Sequence, residues 1–375
     1  MSDGLEGVVV ARTALSEVDG QRGELTVAGA SIEALAGAIS FEELFARLAV
    51  AATGAAAKGV ALDAAAVRVG LGAARVAAFE VMRGRPSNAA DAMDELRERV
   101  AALDISGSEH EGLALTGALA VAAAMHARRR LGLEFVAPDP RFGHAADFLR
   151  MVLGDASAAD FAARARALEA YLVTVADHGL NASTFAARVV ASTGSDMVSA
   201  ITAAIGALKG PLHGGAPGPV LDMLDAIGEP ERAEAWLDAE LSAGRRIMGM
   251  GHRVYRVRDP RAAVLERALG GLESTMVGRV QTLPQINKNS RLELARAVES
   301  AAAGLLAKKH PARSLQANVE FYTAVLLDAV GLPRWLFAAT FAVGRVAGWT
   351  AHVTEQRARG RLIRPESLYD GPRAE

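Results

Sequence analysis

The sequence predicts an all-α fold with a short N-terminal β-hairpin. Three observations carry this expectation. Alanine, leucine, arginine and glutamate are abundant, and aromatic residues make up only 5% of the chain; such side chains lose little rotamer freedom in a helix. β-Branched runs are scarce beyond the N-terminal segment. Helix start and stop signals recur along the rest of the chain. With 375 residues, 51% of them hydrophobic, the chain is too long for one minimal core, so one large or two smaller domains are expected.

The elements follow in order. "GVVVART" and "GELTVAG", joined by "DGQRG", predict the hairpin. "SFEE" is a capping box from Ser40 to Glu43 and opens a helix. From Ala52 to Arg75 the chain is alanine-rich and weakly patterned, and is read as helical. "SDMVSAITAAIGALKGP" starts on a polar cap and stops at Gly210 before Pro211. "STMVGRVQTLPQINKNS" is polar and irregular and predicts a surface loop between two helices, the second opened by a capping box from Ser290 to Glu293. In "NVEFYTAVLLDAVGLP" the residues Val319, Tyr322, Thr323, Leu326, Leu327 and Val330 follow helical spacing, and Gly331 with Pro333 ends the run. A last long helix is expected from Arg334 to near Gly360, where Gly344 and Gly348 would let another helix approach closely.

Charge and motifs exclude several function classes. The 41 basic and 43 acidic residues nearly cancel without a block of one sign, which argues against a nucleic-acid surface or a basic membrane patch. Cysteine is absent, which excludes disulfides, Cys-ligated zinc and thiol catalysis and fits a reducing compartment. The acidic N-terminus lacks the cationic and apolar regions of a signal peptide. The apolar stretch "WLFAATFAVGRVAGW" is cut by Arg345 and falls short of the roughly 20 residues a bilayer requires. A soluble cytoplasmic protein without nucleic-acid or membrane partners is therefore expected. "GMGHRV" and "GLGAAR" lack the third glycine and preceding strand of a dinucleotide fold. The phosphate loop, the zincin motif and the serine-hydrolase elbow have no match. Eight dispersed histidines without ligand spacing predict no metal site.

Four stretches instead place polar or ionisable residues where helices begin or end. They are "DHGLNAST" with His178, Asn181 and Ser183; "KGPLHGGAPGP" with His213; "GMGHRVYRVRDPR"; and "NVEF", which sets Glu320 at the start of an apolar helix. In the third, Asp259 can cap a helix whose first position is Pro260, leaving Arg261 in the first turn, where a guanidinium beside the positive helix end makes a strong carboxylate site. Singly, each has a plain structural reading as a loop histidine, a helix start or a cap on the dipole.

Taken in order, "DHGLNAST", "GPLHGGA", "GHRVYRVRDPR", "NVEFYTAVLL", "AVGRVAGWTAHVTEQ" and "RLIRPESLY" resemble the successive motifs of the citrate synthase family. The match runs from about Val173 to Tyr369, returns at "LEGVVVARTALSEVDGQRGEL", and is poor from Ala52 to Ser108. The resemblance implies a mostly helical homodimer that closes over oxaloacetate and then acetyl-CoA, a co-substrate rather than a bound cofactor. It implies a large domain over 1–214 to which 326–375 returns, and a small domain over 215–325 carrying His252, Arg261 and Glu320. His213 would stabilise the enol of acetyl-CoA and His252 would polarise the oxaloacetate carbonyl. His178, Asn181, Arg261 and Arg345 would hold oxaloacetate, with Arg364 reaching in from the other subunit. Arg256 lies where the family contacts a CoA phosphate.

The chemistry needs these residue types. A thioester enolate is poorly stabilised by water, so a carboxylate base must act together with an aimed hydrogen-bond donor. Glycines around His213 let backbone and ring approach an acyl group closely. Arginine forks recognise the two carboxylates of oxaloacetate bidentately. Two departures stand out: the family usually has aspartate where this chain has Glu320, and "VAGASIEALA" lacks the arginine, glycine and aromatic residue common before such a helix. The same motifs serve 2-methylcitrate synthase, which uses propionyl-CoA. A reading of another class, prompted by Glu320, is a catalytically impaired paralogue kept as a binding or regulatory subunit.

Overall fold

The computed structural model describes residues 4–5, 7–54, 63–105, 108, 110–213, 217–252, 254–277, 291–311 and 313–372. Three short antiparallel strands open the chain: β1 (Ser16–Asp19), β2 (Glu24–Val27) and β3 (Ala30–Ser31). Helices make up the rest: α1 (Ile32–Leu35), α2 (Phe41–Thr53), α3 (Ala64–Arg83), α4 (Ala92–Ala101), α5 (Glu111–Arg130), α6 (His144–Leu153), α7 (Phe161–Val175) and α8 (Ala182–Ser192). Then follow α9 (Met197–Lys209), α10 (Pro217–Ile227), α11 (Ala233–Ser242), α12 (Pro260–Val277), α13 (Arg291–Lys309), α14 (Val319–Val330) and α15 (Phe337–Arg359). No helix among the described residues is long and apolar enough to cross a membrane.

The helix signals act as their chemistry dictates. Ser40 caps α2 by accepting the Glu43 amide at 3.1 Å, and Gly331 ends α14 in the left-handed region at φ 93°. The hairpin differs from the expectation. Residues 7–13 form no strand, and Val9 stands 86% exposed. The strand before the turn is "SEVD", because the register pairs Asp19 with Glu24 and Ser16 with Val27. A turn of four residues leaves the segment immediately before it to pair, and the apolar run further upstream lies beyond that register. The expected loop at 274–290 begins later, since Ser274–Val277 still belong to α12; its remainder, and Ser290 of the second capping box, lie outside the described residues.

Two helices organise the core. α5 and α15 are buried along most of their length, and α15 carries buried Arg345, His352 and Glu355 into the interior. The C-terminal end of α7 lies against α15 at its two glycines. A Cβ on Gly344 would come within 2.7 Å of Val175 Cγ2, and one on Gly348 would overlap the carbonyl oxygen of Ala176. This approach sets the start of the loop that carries Asp177 and His178. Gly348→Ala forces backbone apart rather than a side chain aside, and overpacking of this kind costs about 1–3 kcal/mol. Urea denaturation should show a loss of that size, and an unchanged midpoint would contradict the close approach.

Candidate active site

Four loops converge above the α7–α15 contact. His178 follows α7, where Asp177 is anchored by the ring of His352 at 3.1 Å and by the Ser16 hydroxyl at 2.5 Å. His352 in turn accepts from Arg188 at 2.9 Å, and Arg188 pairs with Glu355 at 2.7 Å, so the floor under His178 is a buried, fully connected polar chain. His213 sits just beyond α9 and leans on the start of α8. His252 and Glu320 are stitched together by backbone. Asn318 caps α14 by accepting the Glu320 amide at 3.0 Å, and its own amide nitrogen donates to Gly251 O at 2.8 Å. The glycines of "GMGHRV" find their purpose here: Gly249 and Gly251 have φ of 74° and 86°, which lets the chain turn back on residues 316–318. Asp259 closes the knot by accepting the Val319 amide at 3.3 Å.

The hydrogen bonds fix which ring nitrogens carry protons. His252 Nδ1 accepts the amides of Val254 and Tyr255, each at 3.1 Å, so its proton sits on Nε2. His213 Nε2 accepts the Ser183 amide at 3.3 Å, with the Ser183 hydroxyl 2.9 Å away, which leaves Nδ1–H as the free donor. Burial, with the charge of Arg345, lowers the His213 pKa to about 4; burial, with Arg261, lowers that of His252 to about 4. Burial and the two arginines push His178 well below its ordinary value. All three rings are therefore neutral at neutral pH, and two present an N–H. Tyr255 ties two of them together: its hydroxyl lies 3.1 Å from His178 Nε2 and its ring 4.8 Å from that of His252.

The charged members divide sharply. Arg261 is buried and paired with Asp259 through Nε at 3.0 Å and a terminal nitrogen at 2.7 Å. Arg345 is also buried, donates Nε to the Val175 carbonyl and lies 4.5 Å above the Phe341 ring, yet no carboxylate among the described residues pairs with it. Burial lowers its pKa to about 10. Burial likewise raises Glu320 to about 7, against the pull of Arg261 and Arg345. Glu320 Oε2 is buried without a partner, and Thr323 Oγ1, one turn along α14, and Tyr171 Oη are buried with only each other in reach. Tyr171 feels the charges of Glu320 and Arg345. Native interiors leave few polar groups unpaired, so a carboxyl oxygen without a partner close to a guanidinium without a salt bridge stands out here.

Not every expected residue joins this cluster. Asn181 spends its side chain on capping α8, accepting from Thr184 N at 3.1 Å and Ser183 Oγ at 2.8 Å and donating to Thr184 Oγ1 at 2.9 Å. Arg256 is exposed, with its amide on Gly20 O at 2.8 Å. Arg364 is exposed in the extended tail, in a groove of about 720 Å³ that it lines with Arg12 and Phe185; the groove reaches Arg188 of the floor under His178, but none of His178, His213, His252, Arg261, Glu320 and Arg345 lines it. Sequence reasoning assigned no role to Tyr255 or Tyr171, and gave Asp259 only a capping role. Tyr255 had a signal: an aromatic hydroxyl in a glycine- and arginine-rich loop, three residues after a histidine.

Fold and cluster together define an all-α protein in which imidazoles, two buried arginines and a carboxyl converge where four loops meet. The chain belongs to the citrate synthase family: the family model "Citrate synthase, C-terminal domain" matches residues 4–366. A citrate synthase of Haloferax volcanii is 36% identical and covers 98% of this chain and 95% of its own. A 2-methylcitrate synthase of Mycobacterium tuberculosis is also 36% identical, over 98% of this chain and 90% of its own. A further protein of that organism, provisionally named citrate synthase 2, is 46% identical over 206 residues, so this chain spans about half, 51%, of its length. The citrate synthase of Thermoplasma acidophilum, solved with carboxymethyl coenzyme A and oxaloacetate, superposes with a TM-score of 0.82 at 27% identity and covers 100% of this chain and 97% of its own. The family match thus extends through residues 52–108, where the sequence motifs alone were weak.

Proposed function

We propose that this protein condenses acetyl-CoA with oxaloacetate and hydrolyses the resulting thioester to citrate and free CoA. The observation that carries the reading is the buried guanidinium of Arg345, which has no salt bridge among the described residues, together with the half-buried Glu320, whose Oε2 is buried without a hydrogen-bond partner, both set among neutral imidazole donors. Arg345, Arg261 and His178 hold the oxaloacetate carboxylates. His252 Nε2–H polarises its ketone, and His213 Nδ1–H meets the thioester oxygen. Glu320 takes the methyl proton, and the carbanion attacks the ketone carbon, whose oxygen gains a proton as the bond forms. Water then cleaves the thioester and releases the thiol. A carboxyl with a pKa of about 7 suits a base that must be ionised yet reactive at neutral pH, which favours a working enzyme over an impaired paralogue. Closure of the 215–325 segment onto the rest excludes water until the carbon–carbon bond exists.

Relatives of both names match equally well, so propionyl-CoA is the second acyl donor to test. One methylene in an acyl pocket is worth only about 1–3 kcal/mol. Thiol release with oxaloacetate and each acyl-CoA ranks the two, and no release with either sinks the reading. Arg256, exposed and without an ion pair among the described residues, suits a CoA phosphate. Arg364, far along the tail and absent from its own chain's cluster, suits the site of a partner subunit. Mixed dimers of Arg364→Ala and His213→Ala chains should then recover one working site each, whereas inactive verified heterodimers would show that Arg364 serves its own chain.

A further inference from the structure

The small N-terminal sheet touches two of the histidine loops at once. On one side, Ser16 of β1 receives the Gly179 amide on its hydroxyl at 2.9 Å and reaches Asp177 at 2.5 Å, so it grips both neighbours of His178. On the other, the β1–β2 turn lies against the loop after His252. The Arg256 amide donates to Gly20 O at 2.8 Å. A Cβ on Gly20 would overlap the Val254 carbonyl oxygen, and one on Gly23 would come within 2.5 Å of Val257 Cγ2. The turn itself is held shut by Asp19, whose carboxylate accepts the amides of Gln21 and Arg22, each at 2.9 Å.

What the turn presses on is the backbone that aims a ring. His252 is oriented by the amides of Val254 and Tyr255, and both residues lie between His252 and the Arg256–Gly20 bond. The amide of Tyr255 belongs to the same peptide unit as the Val254 carbonyl that abuts Gly20, so moving that carbonyl tilts the Tyr255 amide away from Nδ1. We propose that the β1–β2 turn, through Gly20, is a positioning element that holds the His252 imidazole with its proton on Nε2 and aimed at the substrate carbonyl. Gly20 has a negative φ, so glycine is there for proximity rather than for backbone freedom. The inference deepens the proposed function and rests on it for the catalytic consequence; the ring geometry itself does not depend on that reading.

The test is Gly20→Ala, with Arg22→Ala at the exposed tip of the same turn as the control. Histidine-labelled protein reports, through its ring ¹⁵N shifts, which nitrogen of His252 accepts. In the parent and in Arg22→Ala, Nδ1 should show acceptor character; in Gly20→Ala that signature should weaken toward a tautomer mixture. Turnover of Gly20→Ala should fall about 10- to 100-fold, the penalty of an ångström-scale misplacement, with KM for oxaloacetate within about twofold because the arginine ligands do not move. Parent-like ring shifts in folded Gly20→Ala overturn the proposal. Should Gly20→Ala fail to fold, hydrogen exchange of the parent protein decides: an Arg256 amide exchanging as fast as a free loop amide overturns the proposal, and a protected one supports it. Because shifts and exchange are read without substrate, they stand even if the chain releases no thiol, an outcome that would defeat the functional reading alone.

Discussion

Glu320→Gln is expected to reduce turnover by about 10²- to 10⁴-fold, the usual contribution of a positioned general base, while making the folded protein more stable above neutral pH. The two effects have one cause. Burial raises the Glu320 carboxyl from 4.5 to about 7, so ionising it in the folded chain is harder than in the unfolded chain. Below pH 4.5 both states are protonated and the group is neutral toward stability. As pH rises from there to about 7 the unfolded chain ionises first, and folding loses roughly 3 kcal/mol by the conversion of 1.36 kcal/mol per pKa unit. Glutamine carries no such penalty, so denaturation at pH 8 should show the variant more stable than the parent, and at pH 4 equal to it. The parent's kcat/KM should rise with pH through about 7 and then level. His213 and His252, both lowered to about 4, cannot produce that limb. A Glu320→Gln protein with parental turnover would remove the base from the mechanism, and a parental rate with raised stability would make Glu320 a strained helix cap.

The family's usual aspartate makes the glutamate informative. Its extra methylene moves the carboxylate by roughly an ångström, a displacement that can alter rates about a hundredfold. Asn318 and Asp259 grip the amides of Glu320 and Val319, so the backbone is fixed and the side chain sets the reach. Glu320→Asp should therefore lose activity here, since the shorter carboxylate would fall short of a site built around the longer one.

The parts of this architecture that are written locally could be read from the sequence. Ser40, Gly331 and the Asp259–Pro260 start each act within one turn of their own helix, and each lies where it was expected. The first strand was misplaced because strand identity depends on register, and the run Val8–Val10 carries apolar character without a partner to pair with. The cluster was legible only in pieces. Apart from the family resemblance, no local pattern says that Arg345 faces a site rather than breaking an apolar helix; its setting follows from Gly344 and Gly348, which bring Val175, whose carbonyl Arg345 bonds, and Asp177 against α15. Tyr255 and Tyr171 gain their meaning from partners some 77 and 149 residues away in the chain, a separation that no local pattern encodes. Asn181, expected among the ligands, has its side chain engaged in capping α8.

Arg345 carries the second large expectation. A buried guanidinium without a carboxylate partner is costly to the free protein, and its pKa, lowered to about 10, records the cost. A dicarboxylate that supplies the missing partner recovers it, so oxaloacetate alone should raise the melting temperature, by the equivalent of about 2.7 kcal/mol at a hundredfold excess over Kd. Acetyl-CoA alone offers no small carboxylate to this site and should raise it far less, which makes oxaloacetate the first substrate to bind. Arg345→Met keeps an apolar stem but removes the fork that lies over Phe341, and truncating one member of a buried charge pair costs about 2–5 kcal/mol, roughly 30- to 5,000-fold in kcat/KM. Arg345→Lys keeps the charge but cannot bond Val175 O and a carboxylate together in the same geometry; it should lose about tenfold, the worth of one charge-assisted hydrogen bond. The ordering Arg over Lys over Met should appear both in kcat/KM and in the melting shift with oxaloacetate. An Arg345→Met protein that still gains the parental shift would mean that the carboxylate is held elsewhere, leaving the Asp259-paired Arg261 to bind it alone.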